Sequence, residues 1–122
     1  MSDGGRYGPE LSYTAGADLE PYRLVKQDSS GNAVYCTATD VPIGVTVARA
    51  LSGKQVRVRM WNAPGLLQLT ASKSIAINTL FYAGASGKVT DSSSGGATKL
   101  GYSASAAGAD GDVFQAQLML GL

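Results

Sequence analysis

From Leu11 onward the chain can be laid over itself at a displacement of 56 positions, and this internal echo restricts its possible folds more than any other feature. Leu11-Ser12-Tyr13-Thr14-Ala15 falls on Leu67-Gln68-Leu69-Thr70-Ala71, Leu19 on Ile75, Leu24-Val25 on Leu80-Phe81, and Ser30-Gly31 on Ser86-Gly87. After a one-residue slip Ile43-Gly44-Val45 matches Leu100-Gly101-Tyr102. After another, Gly53 matches Gly111, and Val56, Val58 and Met60 match Phe114, Ala116 and Leu118. The slips fall where turns are expected, and turns tolerate insertions. Few residues are identical; the apolar phase, the turn glycines and their order agree. Such a chain folds as two copies of one unit, about residues 10–62 and 65–120.

Each unit reads as strands. In Pro42–Trp61, Ile43, Val45 and Val47 alternate with smaller or polar neighbours, a turn carries Ser52-Gly53, and Val56, Val58 and Met60 alternate with Arg57, Arg59 and Trp61. Period-two alternation on both sides of a glycine turn is the mark of a β-hairpin. Strands are expected at about 10–14, 22–27, 33–37, 43–48 and 55–61, and again at 66–70, 79–83, 88–91, 99–105 and 113–120. Only around Ala17–Leu19 does the spacing hint at a helical turn. The fold class is therefore all-β: a small β-sandwich or barrel with pseudo-twofold internal symmetry. One unit alone would bury little surface, so the two are expected to pack face to face around a shared core that takes in Val56, Val58 and Met60. By length this is one domain, residues 10–122, preceded by a Gly-rich N-terminal arm, 1–9, expected to be flexible alone or ordered against a partner. Gly65–Thr70 and Val113–Leu120 are apolar for an open edge. The tail is expected to be a central strand, with Leu120 and Leu122 as candidate contacts to another subunit.

Composition excludes more than it reveals. Charged residues are 16% of the chain, against roughly 25% in soluble domains, so little charged surface keeps the protein monomeric. A net charge of +1 makes no field for nucleic acid or an anionic membrane. No apolar run is long enough to span a bilayer and the N-terminus has no apolar signal core, so a soluble protein made in a cytosol is expected. There is no histidine, which removes Ser-His-Asp and Cys-His chemistry and the commonest zinc ligand. The one cysteine, Cys36, allows neither an intrachain disulfide nor a thiolate metal site, and reads as a small buried side chain. Asp110-Gly111-Asp112 lacks the spaced ligands of a calcium loop and reads as a turn. Gly84-Ala85-Ser86-Gly87-Lys88 and Ser52-Gly53-Lys54 imitate a phosphate loop, but Val89 or Gln55 follows the lysine where Ser or Thr is required. No cofactor, metal or catalytic pair is expected, and the protein is not read as an enzyme.

One polar cluster stands out. Arg49, Lys54, Arg57 and Arg59 lie in the first hairpin. Arg57 and Arg59 share a strand face, about 6.5–7 Å apart, with Trp61 next. The plain reading is a solvated strand face; the sharper one is an interface patch, since Arg and Trp are enriched at binding hot spots. The second copy has Gln115 and Gln117 at the matching places, so the fold does not need the arginines. With Asp3, Arg6 and Tyr7 of the arm, these residues are the candidate interface.

The stretches AGADLEPYRLVKQDSSGNAV (15–34), PIGV (42–45), VRVR (56–59), LFYAGASGKV (80–89), KLGY (99–102) and ADGDV (109–113) resemble the family of small tailed-bacteriophage capsid decoration, or cement, proteins. The likeness spans roughly residues 14–120. It implies a non-enzymatic β-protein on the outside of the virion capsid, assembled in the host cytoplasm. Its partners would be the major capsid protein, whose neighbouring subunits it bridges, and itself, as a homotrimer at local three-fold positions. Neither nucleic acid nor membrane is an expected partner. The runner-up is a carbohydrate-binding module on a virion, with Tyr7, Tyr13, Trp61 or Tyr82 lining a groove.

Overall fold

The computed structural model describes residues 10–60 and 66–118. Ten short strands form two antiparallel sheets of identical topology. In the first, β1 (Glu10–Thr14), β2 (Leu24–Gln27), β3 (Ala33–Tyr35), β4 (Gly44–Thr46) and β5 (Gln55–Met60) stand in the order β1-β5-β4-β2-β3. In the second, β6 (Leu67–Thr70), β7 (Leu80–Ala83), β8 (Val89–Thr90), β9 (Lys99–Ser103) and β10 (Val113–Leu118) stand in the order β6-β10-β9-β7-β8. The strands fall where the alternating stretches predict them, and the tail strand β10 is central between β6 and β9. Among the described residues helical turns occur at Ala85–Gly87 and Ser94–Gly96; Ala17–Leu19 is not helical, because Leu19 is held in a bridge to Ala50.

Each sheet closes on itself. Ala15 bridges Ala33 in parallel, with Gly16 N donating to Ala33 O at 2.8 Å. Ala71 bridges Val89 in the same way, with Ser72 N donating to Val89 O at 2.8 Å. Five alternating strands put the first and last in the same direction, so a parallel bridge is what joins the two edges into a small barrel. A crossing segment then seals each barrel: Leu19 and Ala50 exchange backbone bonds of 2.8 and 2.9 Å, as Ile75 and Ala107 do at 2.9 and 2.8 Å. A buried hydroxyl fixes the turn into the second strand of each. Thr46 Oγ1 donates to Glu20 O (2.7 Å) and accepts from Arg23 N (3.1 Å). Ser103 Oγ donates to Ala76 O (2.5 Å) and accepts from Thr79 N (3.0 Å). At the same turn Tyr22 and Asn78 both take the left-handed conformation, at φ 63° and 61°.

Because the sheets are closed, each encloses its own apolar face. Val25, Ala33, Val56 and Val58 pack inside the first barrel with Ala15, Leu19 and Ala50, and Tyr13, Ile43 and Met60 pack partly buried against them. The second interior holds Leu67, Leu69, Val89, Leu100 and the edge-to-face pair Phe81 and Phe114, ring centroids 5.7 Å apart. This corrects the expectation of one core shared face to face: Val56, Val58 and Met60 belong to the first barrel alone.

The barrels join through the outside of the first. Leu24, Cys36 and Val45 are fully covered and extend the second barrel's apolar cluster. Val45 lies directly opposite Arg59 and Leu24 in the ladder, so the joint is on the arginine side of the sheet. The joining backbone bonds run one way. Thr70 N and Oγ1 donate to Tyr22 O (3.0 and 2.9 Å), Gly87 N to Cys36 O (3.0 Å) and Thr98 N to Ala38 O (2.9 Å). In these bonds the donors are on the second barrel and the acceptors on the first, so the stacking is tandem rather than twofold. The apolar edge strand β6 is thus covered from outside.

Gly87 sits at this joint with φ 73°, and a Cβ there would lie 2.6 Å from Leu24 O and 2.9 Å from the Tyr35 ring. Gly87→Ala should lower stability by about 2–3 kcal/mol, combining left-handed strain with the clash. Gly53→Ala, at φ 85° with open space around it, carries the strain alone and should cost less. Urea unfolding of the two variants checks this; equal losses would show that the joint is loose.

Candidate functional site: the arginine face and the joint groove

Alternation along β5 sends Val56 and Val58 inward and Gln55, Arg57 and Arg59 outward. β1 runs antiparallel beside it, placing Ser12 opposite Arg57 and Glu10 opposite Arg59. Arg57 Nε meets Glu10 Oε1 at 3.0 Å, with the arginine side chain 64% exposed. A pair so open to water is worth roughly 0–1 kcal/mol, so the barrel does not depend on it. Arg59 is half-buried and turns toward the joint. There it lines a groove of about 210 Å³ with Glu10, Tyr22, Val45, Leu66 and Gln68. The two arginines therefore differ: one faces solvent, the other the cleft between barrels. Arg49 pairs with Glu20 at 3.1 Å, and Lys54 is exposed in the turn before β5. Gln115 and Gln117, at the matching places in the second barrel, are exposed.

Other polar groups are spent on the scaffold. Arg23 lies 5.4 Å over the Tyr35 ring and donates from Nη1 to Ser86 O at 3.1 Å, crossing the joint. Asp112 Oδ2 accepts from Gly108 N and Ala109 N at 2.9 and 3.0 Å, the capping of a turn. Lys88 follows a 3-10 turn, leads into a strand and pairs with Asp110 at 2.8 Å, so the phosphate-loop imitation is a hairpin turn. Lys26 pairs with Asp40 at 2.9 Å, and that bond, with a second from Thr37 N, holds the Asp40 carboxyl below its usual range. Among the described residues no three His, Cys, Asp or Glu side chains gather around one point, and no helix is long and apolar enough to cross a membrane.

The family model for phage cement proteins matches residues 6–118. The chain belongs to the phage cement protein family. That family is a structural, capsid-associated one. No curated protein matches this cement protein. Its fold is similar to the crystal structure of the N base of head fiber gp8.5 of bacteriophage phi29, with a TM-score of 0.73 over 90% of this chain and 92% of that one. At 20% identity the likeness is one of fold.

Of the interface residues expected from the cement protein's sequence, Arg57 and Arg59 lie side by side on β5. Asp3, Arg6, Tyr7, Trp61, Leu120 and Leu122 lie outside the described residues. Of the rings named for a carbohydrate groove, Tyr13 packs partly buried against the first barrel's interior, Tyr82 is half-buried on the second barrel, and Tyr7 and Trp61 lie outside the described residues. Glu10, Tyr22 and Leu66 were not anticipated. Their place depends on which strands adjoin, and the period of the sequence is silent on that.

Cys36 is fully buried in the joint, and burial pushes its thiol from an ordinary 9.0 up to about 12. The folded thiol should resist alkylation at pH 8 and react only as urea opens the joint. Above pH 9 the unfolded thiol ionises while the folded one stays protonated, so the unfolded state binds fewer protons and stability should fall as pH rises toward 12. Cys36→Ala should remove that part of the alkaline slope. A thiol modified at the same rate with and without urea would contradict the buried placement.

Proposed function

We propose that the protein binds the outside of the assembled icosahedral head, bridges neighbouring major capsid subunits and so stabilises the shell. The observation that carries this reading is the cement-family match over residues 6–118, nearly the whole chain. The geometry supports it with a compact tandem of closed barrels, few charges and no reactive cluster among the described residues. A protein that binds the assembled shell better than its free subunits stabilises the shell by linkage. Contacts repeated over a lattice reinforce one another, because later ones are effectively intramolecular. Trimers at local three-fold positions would supply that repetition, on heads assembled in the host cytoplasm. The arginine face of the first barrel is the proposed capsid contact, since Arg57 and Arg59 stand where the same fold accepts Gln115 and Gln117. Asp3, Arg6, Tyr7, Trp61, Leu120 and Leu122 are proposed to contribute on their sequence character alone.

Purified protein should bind expanded heads in stoichiometric amounts and raise their melting temperature in scanning calorimetry. Heads that melt unchanged at saturation would sink the proposal. Arg57→Gln combined with Arg59→Gln should weaken head binding roughly tenfold, about 1.4 kcal/mol, while the free protein melts within a few degrees of the parent. Deleting residues 2–9 should likewise weaken binding and spare the fold; undiminished affinity for the truncated chain would remove the arm from the interface.

A further inference from the structure

The joint uses a receiving face on the first barrel and a presenting rim on the second. Because the barrels are copies, each carries both. The receiving face is Tyr22 O, Leu24, Cys36 and Val45, and its counterparts on the second barrel are Asn78, Leu80, Ser92 and Tyr102. The presenting rim is Thr70 and Gly87, with Gln68 beside Thr70 on the same strand face, and its counterparts on the first barrel are Thr14, Gly31 and Ser12.

Leu24, Cys36, Val45, Thr70 and Gly87 are all buried and their counterparts are all more open. Val45 is 2% exposed and its counterpart Tyr102 45%. Cys36 is buried where Ser92 is exposed, Leu24 and Thr70 are buried where Leu80 and Thr14 are half-buried, and Gly87 is buried where Gly31 is exposed. The backbone repeats the pattern. Ala15 N and Ala71 N both donate to the neighbouring strand's end, to Lys54 O and Asp112 O at 2.8 Å. Alternation then turns Thr14 N and Thr70 N to the opposite side of their strands, away from β5 and β10, and Thr70 N is the group that reaches Tyr22 O. The strand bearing the open face is Leu80-Phe81-Tyr82-Ala83. It is an unbroken apolar run, the pattern of a strand covered on both sides.

We infer that the open face of the second barrel receives the rim of the first barrel from another copy of this chain, in head-to-tail self-association. The occupant is argued from the molecule itself: a barrel of this fold already sits on the same face of the other copy. Asn78 and Ser92, where the covered face has Tyr22 and Cys36, make the open face more polar. Without a covalent tether the contact forms only at high local concentration. A head-to-tail contact either closes into a ring or continues as a row, unlike a self-complementary dimer. The inference does not rest on capsid binding and is tested without heads.

Sedimentation velocity from micromolar to millimolar concentration should show reversible growth beyond the monomer. Tyr102→Glu on the open face and Ser12→Arg on the rim, both at exposed positions, should each reduce the association constant at least tenfold without changing the melting temperature; Tyr102→Phe should keep it. Mixed in equal amounts, the two charged variants should form a dimer that grows no further, because each retains the surface the other lacks. A parent chain that stays monomeric at millimolar concentration would overturn the inference. So would association that survives in both charged variants, or a mixture that stays monomeric.

Discussion

Sheets with strands of two to six residues are stable here because their edges meet. An open five-stranded sheet of this size would expose two rows of unpaired backbone groups and one apolar face. The parallel bridges from Ala15 to Ala33 and from Ala71 to Val89 remove most of both exposures at once. The positions are small or β-branched, so the crossing segments at Leu19 and Ile75 can lie close across the barrels and complete their interiors. Without closure there would be no inside for Val56 and Val58, and no rigid outside for Arg57 and Arg59.

Closure also determines how the copies relate. Once each barrel has an interior, the second can only be added to an exterior, and the exterior of the first supplies Leu24, Cys36 and Val45. The one-way backbone bonds from Thr70, Gly87 and Thr98 give this addition a direction. The arginine face therefore borders the joint instead of standing opposite it, and half-buried Arg59 links the surface proposed for the capsid to the contact between barrels.

Much of this was legible in the residues. The overlay anticipated two matching sheets, and the paired glycines Gly31 with Gly87 and Gly53 with Gly111 all take positive φ as turns require. Even the left-handed Tyr22 and Asn78 are separated by the same 56 positions. Whether the sheets form a sandwich or close into barrels was left open by the residues, because one parallel bridge per sheet leaves no periodic trace. Face-to-face packing was the wrong inference from a correct premise, that one open sheet buries too little. Leu24-Val25 and Leu80-Phe81 are unbroken apolar pairs, and read as strands with two occupied sides they point to a joint outside the barrel. The arginine pair was visible from alternation alone; its neighbour Glu10 required the register of β1.

The division of the apolar clusters also bears on how the chain emerges from a ribosome. Among the described residues, the interior of the first barrel draws on side chains up to Met60 and on none later. The cluster of the second draws on Leu24, Cys36 and Val45 as well as its own side chains. Synthesis from the N-terminus thus delivers a self-sufficient half first, and the later half meets a finished template instead of a competing twin. In a tandem of near copies, where strands of one could pair with those of the other, that order of dependence guards against exchange between the halves.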